Sequence, residues 1–332
     1  MSIDALISYG RAVLANSLGV VLSHGHYLSV LPMLAALLIA LGWLLWRLHR
    51  SGRRASWRLL RRLLLPRRVF LHRSALHDYA VFLINQGLLF STIGAALVTP
   101  ALVAAALLAV GGAFGLQVEL APASLGERIA VSIYLVLVWD FAATYAHYLK
   151  HRLPLLWEFH KVHHCAEVLN PLTALRRHPI EAAVSSIITA TMLGLAMGLW
   201  LLVFGRFDVY SVFGTWVGIY LWRLLGYNLR HSHLPLSYGP FWNRILISPL
   251  QHQIHHSNDP RHYDRNFGHI FAVWDRLFGT LYVPAAGERV RFGIGAAEAG
   301  DYRTLKGLYF TPFRKAGALL LRRPRLDPQT SA

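Results

Sequence analysis

Two long stretches of the chain carry no charge: Tyr27 to Trp46 and Tyr79 to Val118. A helix of about 20 apolar residues covers a bilayer core, so each predicts membrane-crossing structure. Three more apolar runs follow: Ile129 to about Tyr145, about Ala183–Phe204 and Tyr210–Leu225. The short "GRFDVY" between the last two predicts a helical hairpin that leaves and returns. Tyr79–Val118 is long for one span, and Thr99-Pro100 marks a kink or turn. One crossing with a re-entrant or interfacial remainder is the expectation, with two full spans as the alternative. The predicted fold class is an all-α integral membrane protein with about four to five transmembrane helices. The first apolar run precedes a basic block, so it reads as a membrane anchor rather than a secretory signal peptide.

Composition supports this reading. Of 332 residues, 55% are hydrophobic and only 15% charged, a balance unusual for a soluble domain. The net charge is +17, and Arg47 to Arg73 holds ten arginines and no acid. Nucleic-acid binding is one reading of such a block. The positive-inside rule makes it instead a cytoplasmic juxtamembrane loop, with no nucleic-acid partner. Within it Trp57 to Leu64 is amphipathic and suited to anionic headgroups. This orientation leaves the N-terminus, His24 and His26 outside, and places every later histidine cluster on the cytoplasmic face. Trp57, Tyr79, Trp222, Tyr227 and Trp242 read as interfacial aromatics. The single cysteine, Cys165, excludes an intrachain disulfide and a cysteine-built metal site. Arginine-heavy usage points to a GC-rich bacterium and its inner membrane. The tail after Arg322 reads as disordered and basic.

Eleven of the 18 histidines lie between 147 and 256. His147 and His151 are four apart, on one helical face. His160, His163 and His164 share a face at i, i+3, i+4, and His252, His255 and His256 repeat that spacing. Between them lie His231 and His233. Imidazole suits zinc, copper, iron and nickel. A lone helical histidine is usually structural, but three clustered sets on one membrane face indicate metal. The first eight with His231 make nine ligands, too many for one ion and suited to two. Asp140, seven residues before His147 within an apolar span, is a candidate to hydrogen-bond a ligand imidazole, or else a partner for an arginine. His49, His72 and His77 read as headgroup-facing.

The phrases "WDFAATYAHYLKH", "LWEFHKVHHCAEVLNPLTALRRHPIE", "NLRHSH" and "SPLQHQIHHSNDPRHYDRNFGHIFAVWDRLFGTLY" resemble the fatty acid hydroxylase / sterol desaturase superfamily of membrane di-iron oxygenases, in its bacterial type, over roughly 136–283. The resemblance implies a cytoplasmic helical cap enclosing the metals and two irons held by the nine histidines. It implies O₂ as co-substrate and a membrane lipid as substrate: sterol or hopanoid, fatty acyl, ether lipid or aminolipid. A separate electron donor (ferredoxin, cytochrome or reductase) is also implied. His178 is ranked as supporting the ligands or facing substrate, and His233 stands where many relatives have asparagine. Asn266 and Asp275 match the family's closing motif and either orient ligands or cap and pack the cap domain. His262 and His269 are outer candidates. The expected organisation is a membrane anchor region (1–128, with the basic loop 47–73), a catalytic domain (129–285) and a basic C-terminal tail (286–332). The expected activity is lipid hydroxylation or desaturation. A zinc-dependent membrane hydrolase would need a general base such as the Glu of HExxH, and that motif is absent. A metal transporter or sensor would need polar residues through the spans, and the apolar runs are nearly free of them.

Overall fold

The computed structural model describes residues 3–23, 26–88, 98–116, 118–119, 121–212, 214–285 and 287–321. His24, residues 89–97 of the second apolar stretch and the tail from 322 lie outside them. The main helices are α1 (Ile3–Leu22), α2 (Val30–Arg50), α3 (Trp57–Leu64), α4 (Arg73–Leu88), α5 (Pro100–Ala113), α6 (Leu125–Arg152), α7 (Pro154–His164), α8 (Pro179–Phe204), α9 (Val217–Leu224), α10 (Pro249–His255), α11 (Val273–Phe278) and α12 (Leu305–Leu321). The described strands are Ser211–Val212 and Thr215–Trp216, an antiparallel pair. By length and composition α2, α6 and α8 can each cross a membrane, and the architecture is otherwise helical.

Local chemistry sets where these helices begin and end. Ser124 and Glu127 form a capping box that starts α6. Leu153 ends α6 because Pro154 follows, and Pro154 then occupies the first position of α7. The chain therefore turns at one residue, with His147 and His151 just before the corner and His160, His163 and His164 just after it. Pro179 opens α8 behind the N-cap His178, and Gly205, at φ 62°, closes it.

Three expectations change. The 210–225 run is not the second limb of a spanning hairpin. It forms the two short strands and α9, whose 8 residues rise only about 12 Å. α9 sits close against α6, and a Cβ on Gly218 would lie 2.6 Å from Val136 Cγ2. The apolar face of α3 is also used within the protein. Leu60, Leu63 and Leu64 pack on the cluster of Ala36, Ala40, Leu44 and Leu229, so the arginines face outward. Trp222 is buried within the protein, and Tyr227 lines a cavity. Sequence patterning had not picked out α1. Residues 287–321, set apart as tail, carry α12, which packs along α7.

α5 and α8 pack at very close range. A Cβ on Gly194 would sit 2.5 Å from the carbonyl oxygen of Pro100 and 2.5 Å from Val103 Cβ. Gly194→Ala must separate the two helices and is expected to cost about 1–3 kcal/mol. Thermal unfolding in detergent reads this directly.

Candidate metal centre

The structure brings nine histidines into two adjoining groups. His147, His151, His160, His164 and His255 place one ring nitrogen each within 4.8 Å of one another, and His163, His231, His252 and His256 do the same. These are the nine that the spacing and the resemblance selected. The rings of His164 and His256 stack at 4.5 Å across the boundary between the groups. Burial lowers the proton affinity of His163, His164, His252, His255 and His256 well below the ordinary histidine range, and that of His231 to about 3. The rings are thus neutral donors.

Whether these residues suit a metal can be read from their unpaired atoms. The Nε2 atoms of His147, His151, His160, His164, His255 and His256 are buried without a hydrogen-bond partner. Buried polar atoms are seldom left so. In several rings the other nitrogen is held from behind. His147 Nδ1 donates to the Phe267 carbonyl at 3.0 Å, and His255 Nδ1 to the Arg265 carbonyl at 2.8 Å. His151 Nδ1 lies 3.4 Å from Asp264 Oδ1, and His160 Nδ1 lies 3.1 Å from Glu181 Oε1. The two carbonyl bonds fix the tautomers of His147 and His255 and aim their Nε2 inward. The donor set fits metal ions, and nine imidazoles fit two of them better than one.

One strap, residues 264–271, supplies most of this backing. Asp264 and Asn266 both take positive φ, 57° and 58°, a conformation that Asp and Asn tolerate better than most residues. Five successive backbone N–H groups are each accepted by a side-chain oxygen. Asp275 takes Phe267 and Gly268 at 2.7 and 2.8 Å, and Thr144 takes His269 at 3.3 Å. Asp140 takes Ile270 and Phe271 at 2.6 and 3.0 Å. The carbonyls point the other way. Phe267 holds His147, while Gly268 and His269 each accept from Arg230 at 2.9 Å. Arg230 in turn donates to His252 Nδ1 at 2.8 Å. The strap therefore orients ligands in both groups.

The remaining candidates resolve by contact. Asp140 is corrected: it touches no imidazole but holds the strap and the Trp274 indole N–H, at 2.7 Å. Asp275 does the same work and also accepts from Thr280 Oγ1 at 2.6 Å. Asn266 ties α10 through the Gln251 carbonyl and accepts from the Tyr282 N–H. His178 is outside both groups. It accepts the Ile180 N–H as a helix cap and meets the Tyr309 carbonyl at 3.1 Å. His233 is also outside, donating to the Leu63 carbonyl at 2.7 Å and so pinning α3. His262 bonds Ser257 and Glu288, His269 lines a cavity, and His26 bonds the Leu28 N–H. His49 is exposed, His72 accepts the Ser74 N–H, and His77 lines a separate cavity beside Cys165.

Sequence reasoning missed Glu181, Lys150, Arg230 and Asp264. Lys150 donates to Glu181 Oε1 at 2.7 Å and Arg177 to the same oxygen at 3.2 Å. A carboxylate two residues after Pro179 and a lysine inside a histidine-bearing helix were the available signals.

A cavity of about 520 Å³ opens against the histidines. His147, His160, His163, His231 and His252 form one end, and Trp139, Ala143, Ala190 and Leu193 line its apolar walls. The far face of the five-histidine group borders a second cavity of about 390 Å³, lined by His151, His164, His255, Lys161, Asp264 and Glu298. The centre thus lies between an apolar chamber and a polar one.

Residues 132–280 match the fatty acid hydroxylase family. The chain is 29% identical over 174 residues to alkylglycerol monooxygenase of Danio rerio, covering 48% of this chain and 35% of that protein. It is 31% identical over 156 residues to the alkylglycerol monooxygenase of Xenopus tropicalis, covering 47% and 31%. It is 26% identical over 164 residues to the ornithine lipid hydroxylase OlsE of Rhizobium tropici, covering 48% and 44%. The matched part is thus a third to less than half of each relative. No solved structure gives a significant match.

Proposed function

We propose that this chain, whose residues 132–280 match the fatty acid hydroxylase family, is an O₂-dependent, di-iron hydroxylase of a membrane lipid. The observation that carries this is the pair of buried histidine groups, each with its ring nitrogens within 4.8 Å of one another, beside a largely apolar cavity. Two irons, held by His147, His151, His160, His164 and His255 and by His163, His231, His252 and His256, would supply the activation of O₂ that C–H oxidation needs; redox-inert zinc could not. Hydroxylation is favoured over desaturation because the relatives are a monooxygenase and a hydroxylase.

The chain's own residues do the rest. The walls formed by Trp139, Ala143, Ala190 and Leu193 suit a hydrocarbon chain and exclude water from the reacting carbon. The Phe267 and Arg265 carbonyls keep the protons on Nδ1 of His147 and His255, so that Nε2 presents its lone pair. Glu181 Oε1 lies 3.1 Å from His160 Nδ1. The catalytic domain spans 129–285, preceded by an anchor region and followed by a C-terminal segment. The inner membrane, with the centre on the cytoplasmic face beside the basic loop, completes the reading, and electrons come from a separate carrier.

Purified protein is expected to hold two irons per chain. Lipid mass spectrometry of cells with and without the gene should show a species heavier by one oxygen. Loss of two hydrogens instead would mean desaturation, and turnover without oxygen or reductant would replace this reading with a hydrolase.

A further inference from the structure

Two polar atoms in the apolar chamber have no role in holding the metal centre. Glu181 is 2% exposed. Its Oε1 accepts from Lys150 and Arg177 and lies 3.1 Å from His160 Nδ1, but its Oε2 is buried and meets no donor. Ser185, one turn along α8, has a buried hydroxyl with no partner either. Helical serines commonly bond the carbonyl four residues back, and this one does not. Both residues line the 520 Å³ cavity beside His147 and His160. A buried polar group left unmatched costs about 1–3 kcal/mol, so two on one wall mark a place where a ligand supplies the partners.

The chemistry of the pair selects the ligand. Glu181, balanced by Lys150 and Arg177, is a carboxylate and only accepts hydrogen bonds. Ser185 both donates and accepts. Residues four apart on a helix hold their Cβ atoms about 5–6 Å apart. One oxygen at about 2.8 Å from each acceptor or donor bridges that gap. It must donate to Glu181, and by accepting from Ser185 as well a hydroxyl oxygen satisfies both, which an ether, ester or alkane does not.

We propose that Glu181 Oε2 and Ser185 Oγ form a hydroxyl-binding subsite, and that the substrate is a lipid with a free hydroxyl a few bonds from the carbon presented to the histidines. This rests on reading the chamber as the lipid site. Past Ser186 and Thr189 the wall along α8 turns to hydrocarbon at Ala190 and Leu193, so the hydroxyl fixes the depth and register of the chain. Ser185 acts in binding and positioning, and the metal centre does not need it.

The test compares two probes, 1-O-hexadecylglycerol and its di-O-methyl ether, on the full chain in phosphatidylcholine nanodiscs. Binding is read by native mass spectrometry. The free-hydroxyl lipid is expected to bind about tenfold more tightly, as one hydrogen bond to a charged group provides. Ser185→Ala should cut that preference to about threefold or less, Glu181→Ala should remove it, and Ser185→Thr, which keeps the hydroxyl, should restore it. Metal content unchanged in Ser185→Ala shows that the variant is folded. Equal binding of both probes by the wild-type chain, or an undiminished preference in Ser185→Ala, overturns the subsite and leaves the lipid chamber standing. If neither probe binds, the lipid chamber itself is refuted, and the subsite with it.

Discussion

Alanine at His255 is expected to leave the chain with fewer than two metal ions and to lower turnover by more than about 100-fold. That figure is the upper end for losing a residue that merely supports a ligand, and His255 stands closer. Its Nδ1 is tied to the Arg265 carbonyl, so its unpaired Nε2 can face only the five-histidine group. Four imidazoles then remain in that group, and the ring leaves a gap between His147 and His164, whose centroids lie 4.4 and 4.7 Å away. His160→Ala should behave alike and would also strip Glu181 of its contact with the centre. His233→Ala is the informative contrast. Its ring bonds the Leu63 carbonyl, outside both groups, so metal content should stay at two. Metal stoichiometry and turnover on purified protein decide the matter. Full metal occupancy and full activity in His255→Ala would falsify the assignment of the centre.

Eight of the nine histidines were legible because helical spacing puts i, i+3 and i+4 side chains on one face, and His231 was legible only through the family resemblance. The short corner at Leu153-Pro154 then brings two such faces together. The groups behind them were not legible. Glu181, Arg230 and Asp264 act on ligands distant in sequence, and no periodicity marks a residue whose partner is on another element. Asp140 shows how spacing can mislead. It shares the helical face of His147, but its partners are backbone N–H groups 130 and 131 residues further on. Hydropathy foresaw α2, α6 and α8, whose length and apolarity are intrinsic. It failed at 210–225, where an equally apolar run is used for packing on α6. The same ambiguity affected α3, since an amphipathic face fits a headgroup layer or a neighbouring helix equally well, and here α2 and its neighbours cover it.

The second large effect is expected at Asp140, a residue that touches no metal ligand. It is fully buried in α6 and accepts three hydrogen bonds, from the Ile270 and Phe271 N–H groups and the Trp274 indole. Asp140→Ala strands all three donors, and each buried donor left unmatched costs about 1–3 kcal/mol. The loss should not remain local. The strap that these bonds hold also carries the Phe267 carbonyl behind His147 and the Gly268 and His269 carbonyls behind Arg230, which backs His252. One substitution should therefore weaken metal retention in both groups, where His255→Ala empties one first. Asp140→Asn keeps the shape but turns an NH₂ toward donors, so it should fall between the alanine variant and the wild type. Thr144 still accepts the His269 N–H and Asp275 still accepts Phe267 and Gly268. The strap is then loosened but not lost, and added iron should restore part of the thermal stability, because metal binds only the folded centre. Unfolding curves of Asp140→Ala with and without iron measure this, and an unaltered iron stoichiometry would show that the strap does not govern the ligands.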